Sequence, residues 1–366
     1  MILLNPGPVS LSERVRRSLL NPDLCHREAE FFDLQEEIRS RLLGVHDLDP
    51  ALWTAVLMTG SGTAAVDSMI ATLPQREARV LILENGVYGE RMTQMCARYH
   101  IAHEALTGSW LDAPDCGQVA DRLAGGTFTH LAVVHHETTT GRLTDIAALG
   151  RLCARHGVQL LLDGVSSFGA EAIDFAGSDL GASLVAMAAT ANKCLHGAPG
   201  VSFVITRRTA LSGAVSRSYY TDLARLARLQ DQRNTPFTPA VHVYYALREA
   251  LREYQEQGGR LARRQRYAQL AEQVRAGLAQ LGVAALLAPQ ESSVVLRAYQ
   301  LPHGISYPVL HDALKADGFV IYAGQGDLSR TLFRIATMGE ITASDVVRLL
   351  ACFQRLCRPQ TSGASR

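Results

Sequence analysis

Apolar runs of strand length alternate with stretches of helical spacing along the first two thirds of the chain. "TAVLMT" gives way to a helix from about Gly62, "RVLILE" to one beginning near Tyr88, and "HLAVVHHE" to "DIAALGRLCARHG". "VQLLLDG", "SLVAMAA" and "VSFVI" complete the series. Runs apolar on both faces and separated by helices predict a mainly parallel sheet covered on each side, an α/β architecture. Past about Ala240 the pattern changes. Two charged amphipathic helices broken at Gly258-Gly259 lead into the short strands "SVVLRAY", "FVIYA" and "TLFRIAT", with the helix "SYPVLHDALKADG" before the second. The closing helix "TASDVVRLLACFQRLC" takes Thr342 or Ser344 as its N-cap. The expected division is a large α/β unit over residues 15–245, and a small α+β unit from residues 1–14 and 246–358. Residues 359–366 form a small polar tail expected to be disordered.

Length and composition narrow the class. At 366 residues the chain exceeds one compact core, and 47% hydrophobic with 19% charged residues describes a soluble globular protein. Lys plus Arg (36) nearly cancels Asp plus Glu (35), so no overall field favours nucleic acid or an acidic membrane. The Arg-rich "GGRLARRQR" shares its helix with Glu and Gln and is expected to be a solvated face. No apolar run approaches the roughly twenty residues that cross a bilayer. The start carries no secretory pattern, and the seven cysteines are scattered without a C-x-x-C pair. A cytoplasmic protein with reduced thiols is expected.

In such sheets ligands sit beyond the carboxyl ends of the strands, here marked by Ser61, Asn85, Glu137, Asp163 and Lys193. Gly60-Ser61-Gly62-Thr63-Ala64-Ala65 matches the glycine turn that brings a helix N-terminus to a phosphate, and Glu84 lies where a ribose-binding acid of an NAD site would be. An NAD-dependent oxidoreductase is therefore the rival from another class. Some fifty residues precede the turn, however, whereas the dinucleotide fingerprint opens its domain. Asp163 ends an apolar strand, and Lys193 follows the next one in a lysine-poor chain. An acid, a lysine and a phosphate loop on neighbouring strand ends suit pyridoxal phosphate. Its aldehyde condenses with a lysine amine, its ring nitrogen needs a carboxylate, and its phosphate needs a helix N-terminus. Adjacent His135 and His136 point to opposite sides of a strand, so no metal site is expected. Glu137 serves either the site or the loop, and His26-Arg27-Glu28 either an entrance segment or a helix start.

The motifs "LNPGPVSLSERV", "TGSGTAAV", "ENGVYGERM", "HHETTTGRL", "LLDGVSSFGA", "ANKCLHGAPG", "TPFTPAVH" and "LFRIATMGE" occur in an order that resembles the class V aminotransferases of PLP fold type I. Within that class the wording is most similar to the 2-aminoethylphosphonate–pyruvate transaminases, with the alanine–glyoxylate and serine–pyruvate group as the alternative. The resemblance implies a seven-stranded, mainly parallel sheet and a homodimer with shared active sites. It implies that Lys193 holds the cofactor and moves the proton, that Asp163 pairs with the ring nitrogen, and that Val165 lies against the ring. Ser61, Gly62 and Thr63 would hold the phosphate, Tyr88 would stack on the other ring face, and Thr139 would lie by its hydroxyl edge. Asn192 would belong to the cofactor site, Thr238 would reach the phosphate of the neighbouring subunit, and Arg334 would grip the substrate anion. An amine and a 2-oxo acid are the implied partners. Gly164 and His196 depart from the phosphonate group, where Ala and Gln are usual.

Overall fold

The computed structural model describes residues 1–357. Arg358 and the tail expected over 359–366 lie outside them. Seven strands form one sheet: β1 (Trp53–Thr59), β2 (Arg79–Glu84), β3 (Ala102–Thr107), β4 (His130–Val134), β5 (Gln159–Asp163), β6 (Leu184–Thr190) and β7 (Val201–Arg207). Their spatial order is β1-β7-β6-β5-β4-β2-β3. Only β7 runs against its neighbours, pairing antiparallel with both β1 and β6. The other pairings are parallel.

Strand periodicity sends alternate side chains to the two faces, and each face is covered. Leu57, Leu81, Leu131, Val133, Leu160, Leu162 and Phe203 share a cluster with Phe31, Ile38, Leu42, Leu149 and Leu251. Val56, Val80, Ile82, Ala132, Leu161, Ala186 and Val204 share another with Val66, Met69, Ile70 and Met92. The helix residues come from Ala29–Gly44, Ile146–His156 and Val241–Glu256 on one side, and from Gly62–Thr72 and Val87–Arg98 on the other. Leu161 is fully buried at the middle of β5, so Leu161→Ala would cost about 2–5 kcal/mol. Asp145 starts the Ile146 helix by accepting from Ala148 N at 2.9 Å, and Gly157 ends it in a left-handed turn at φ 65°.

The C-terminal part has its own core of Leu278, Tyr299, Leu310, Leu314, Phe319, Phe333, Leu349 and Phe353. Leu332–Ala336 lies between Leu296–Gln300 and Tyr322–Ala323, antiparallel to both. "FVIYA" does not form one strand. Phe319–Val320 pairs with the N-terminal Ile2–Leu3, and Tyr322–Ala323 joins the three-stranded sheet, with Ile321 buried at the changeover. Thr342, not Ser344, caps the last helix: its hydroxyl accepts from Asp345 N, and its own N–H donates to the Asp345 carboxylate.

The arginine-rich start of helix Gly259–Gln280 is not simply a solvated face. Arg263 is 3% exposed; it donates to Cys194 O at 2.6 Å and lies over the Tyr254 ring. Arg264 faces the buried Glu171 at 3.5 Å, and Arg266 donates to Ile341 O at 2.9 Å. These arginines look like a charge run in sequence because two of their partners, Cys194 O and Ile341 O, are backbone carbonyls, which any residue supplies.

Candidate active site

The carboxyl ends of β1, β2, β4, β5 and β6 deliver the chemistry-bearing residues. After β1, Ser61 precedes helix Gly62–Thr72 as its N-cap in an extended conformation, and its hydroxyl makes no capping bond. An exposed hydroxyl and a helix N-terminus are thus left for an anion. Thr63 Oγ1 accepts from Arg91 Nη1 at 2.9 Å, and the Arg91 guanidinium lies 4.8 Å from the centre of the Tyr88 ring. Tyr88 and Arg91 share a face of helix Val87–Arg98 because they are three residues apart. Sequence reasoning missed Arg91, although it stands in the quoted "ENGVYGERM"; the spacing from Tyr88 was the available signal.

Asp163 ends β5 at 6% exposed. Among the described residues its carboxylate accepts one hydrogen bond, from Val165 N to Oδ1 at 2.9 Å, which leaves the second oxygen for a cationic partner. Burial pushes its carboxyl up to about 6, against the Val165 N–H and the positive charges of Arg91 and Lys193. Gly164 follows with no room to spare: a Cβ there would lie 1.7 Å from Met187 Cε. The departure at Gly164 is therefore matched by a bulky methionine on the adjacent strand.

Lys193 lies three residues past β6. Part of its side chain meets solvent, and its amine donates to Pro6 O, so the N-terminal segment crosses the lysine. Burial lowers Lys193 to about 8, and the positive charge of Arg334 acts in the same direction. Asn192 Oδ1 accepts from Thr190 Oγ1 at 2.8 Å, which fixes the turn before the lysine. His196, the second departure, accepts from Gly339 N at 2.8 Å and meets Tyr267 Oη at 2.5 Å. It thereby ties the lysine loop to the C-terminal part. Burial and nearby arginines hold it far below the ordinary histidine value.

Arg334 comes from the middle strand of the small sheet and is 4% exposed. Its Nε donates to Ala323 O and its Nη1 to Thr138 O, both at 2.8 Å. Two carbonyls therefore set the plane of the guanidinium, and Nη2 remains for an anion. Thr139, fully buried, donates to Gln325 Oε1 at 2.9 Å, so Thr138 and Thr139 both bind the C-terminal part. Gln325 is a further site-proximal residue that its loop position kept hidden.

The remaining candidates separate. Thr238 is exposed on the loop before helix Val241–Glu256 and makes no recorded bond to these groups. His135 bonds Ser167 Oγ and His136 bonds Ser166 O; burial lowers them to about 3 and about 4. No metal-binding group of three or more His, Cys, Asp or Glu occurs among the described residues. Arg27 donates to Thr235 O at 2.6 Å, and Glu28 precedes helix Ala29–Gly44. Glu84 accepts from Thr107 Oγ1 at 2.9 Å.

A family model described as aminotransferase class-V matches residues 21–326. The chain is 34% identical to a 2-aminoethylphosphonate–pyruvate transaminase of Vibrio cholerae, with 96% of each chain covered. It is 35% identical to a transaminase of the same name from Salmonella schwarzengrund, again over 96% of both. Among solved structures it is similar to an alanine–glyoxylate aminotransferase from Nostoc sp., with 25% identity, a TM-score of 0.90, and 98% of this chain and 95% of that one covered. An aspartate aminotransferase from Thermus thermophilus gives 26% identity, a TM-score of 0.87, and 98% and 99% coverage.

Proposed function

We propose, for a chain that belongs to the class V aminotransferases, that it uses pyridoxal phosphate to move the amino group of 2-aminoethylphosphonate to pyruvate, giving phosphonoacetaldehyde and alanine. The observation that carries the reading is the pairing of a buried Asp163, one oxygen free, with an amine held near neutrality on the next strand end. That donor set fits the cofactor: a lysine for its aldehyde, a carboxylate for its ring nitrogen, and a helix N-terminus with a free hydroxyl for its phosphate. An NAD site would leave Lys193 and Asp163 without work, and the family model that matches is one of aminotransferases.

Bound there, pyridoxal phosphate supplies an electron sink that lets a proton leave the carbon bearing the substrate amine. Ser61, Gly62 and Thr63 would hold the phosphate, with Arg91 steadying the Thr63 hydroxyl. Tyr88, Val165 and Thr139 would contact the ring, and Asn192 keeps the lysine turn in place through its bond with Thr190. Asp163 neutralises the ring nitrogen's positive charge. Lys193 Nζ would be the base that takes the proton and later returns it, and burial already lowers it to about 8 in the cofactor-free chain. Arg334 binds the anionic end, phosphonate in one half of the cycle and carboxylate in the other. The reading includes a small unit of residues 1–14 and 246–358, a homodimer in which Thr238 serves the partner's phosphate, and a cytoplasmic location. Among the described residues no helix is long and apolar enough to cross a membrane.

The test is an amine-donor screen with pyruvate as acceptor, following alanine and aldehyde. Turnover of 2-aminoethylphosphonate above that of serine, and above that of alanine with glyoxylate, is expected. Inertness toward the phosphonate with activity on those amino acids would give the substrate assignment to the alternative.

A further inference from the structure

Helix Val87–Arg98 begins at Gly86, which has no side chain to cap the first turn. A distant residue fills that role. Glu137, fully buried, accepts from Tyr88 N at 3.3 Å through Oε2 and from Thr139 N at 2.9 Å through Oε1. Val87 N adds a third link, donating to Thr139 Oγ1 at 3.4 Å. The fit depends on the glycine: a Cβ on Gly86 would lie 2.3 Å from the Glu137 carboxyl carbon. One carboxyl group thus ties the helix start that carries Tyr88 to the turn that carries Thr139. Those two residues are walls of the proposed ring site.

Merely ending a strand would not need an acid here. Burial, reinforced by the negative charge of Asp163, pushes Glu137 up to about 7 despite three hydrogen-bond contributions that favour its charged form. A side chain retained against such a cost, with both oxygens engaged by the two walls, points to a geometric task. We propose that Glu137 is a positioning residue for the cofactor, holding Tyr88 and Thr139 at the separation that grips the ring. The proposal rests on the pyridoxal phosphate reading and extends it to a residue that does not itself touch the substrate.

The experiment prepares cofactor-free wild type, Glu137→Gln and Gly86→Ala, and titrates each with pyridoxal phosphate. Affinity, the visible circular dichroism of the bound cofactor and the melting temperature of the cofactor-free protein are read separately. Glutamine turns an NH2 toward one of two N–H donors, so one wall is released while volume is kept. Affinity about tenfold weaker is expected, from one lost hydrogen bond in a buried site. The circular dichroism band should shrink, while the cofactor-free fold melts close to wild type. Gly86→Ala, which displaces the same carboxyl from the other side, should reproduce this and decides the matter if Glu137→Gln does not fold. Wild-type affinity and dichroism in the folded variants would overturn the proposal, even if melting temperatures fell. Failure of the wild type to bind the cofactor would instead remove the underlying reading.

Discussion

Arg334→Lys isolates the anion-binding function from net charge. The arginine spends Nε and Nη1 on Ala323 O and Thr138 O, each at 2.8 Å, and this fixes the direction in which its remaining donors face. Lysine keeps the charge but has one nitrogen, so it cannot hold both carbonyls and the substrate in the same geometry. A bond to a charged group is worth about 1.5–3 kcal/mol, and losing one such bond to the substrate lowers kcat/KM about 10- to 100-fold. The two carbonyls left behind cost about 1–3 kcal/mol of stability, a separate effect visible in thermal melting. The assay is stopped-flow measurement of each half-reaction, amine to enzyme and enzyme to pyruvate. If one guanidinium serves phosphonate and carboxylate in turn, both half-reactions fall by similar factors. A loss confined to one of them, or below about threefold in both, would refute a shared anion site.

Lys193→Ala should abolish borohydride-stable attachment of the cofactor, read by mass spectrometry; a labelled peptide elsewhere would displace the lysine from its role. Asp163→Ala should lower turnover by at least about a hundredfold, since a preorganised charge partner is lost, and near-normal rates would remove it. Five histidines, His46, His130, His135, His136 and His196, are pushed below their ordinary value by burial, so the unfolded chain binds more protons than the folded one below about pH 6.5. Stability is therefore fully present above that pH and is lost as pH falls toward 4, opposed by Asp163 and Glu137, whose raised values act in the other direction. Denaturant midpoints flat from pH 7 to 4.5 would contradict this balance.

The sheet was legible because its strands are apolar on both faces, and strand ends in such sheets carry the ligands. Asp163 and Lys193 could be found by asking which polar residues interrupt "LLLDG" and follow "VAMAATAN". What stayed hidden depends on long-range placement. The reversed direction of β7 leaves no mark on its own alternation. Nothing local in "LNPGPV" says that Pro6 O meets Lys193, some 187 residues away. His196 read only as a departure until its bond to Gly339 N appeared, and Gly164 only until Met187 was found against it. The role of Glu137 stayed open because its partners, Tyr88 N and Thr139 N, are backbone groups, which carry no sequence signature.

The site's charges share one physical origin. Asp163 and Glu137 are raised and Lys193 is lowered, in each case first by burial, so all three lean toward their neutral forms. A surface cluster would show the opposite, with mutual pairing keeping each group charged. The protein alone therefore leaves the strand ends short of compensating charge, and the shortfall is specific. Asp163 offers its second oxygen to a cation, the helix N-terminus at Gly62 offers unpaired N–H groups to an anion, and the Lys193 amine is shifted toward its uncharged, nucleophilic form. A ligand with a cationic ring, a phosphate at one end and an electrophilic carbon between would answer all three at once. A dinucleotide would answer only the second, which is why the glycine turn by itself could not decide between them.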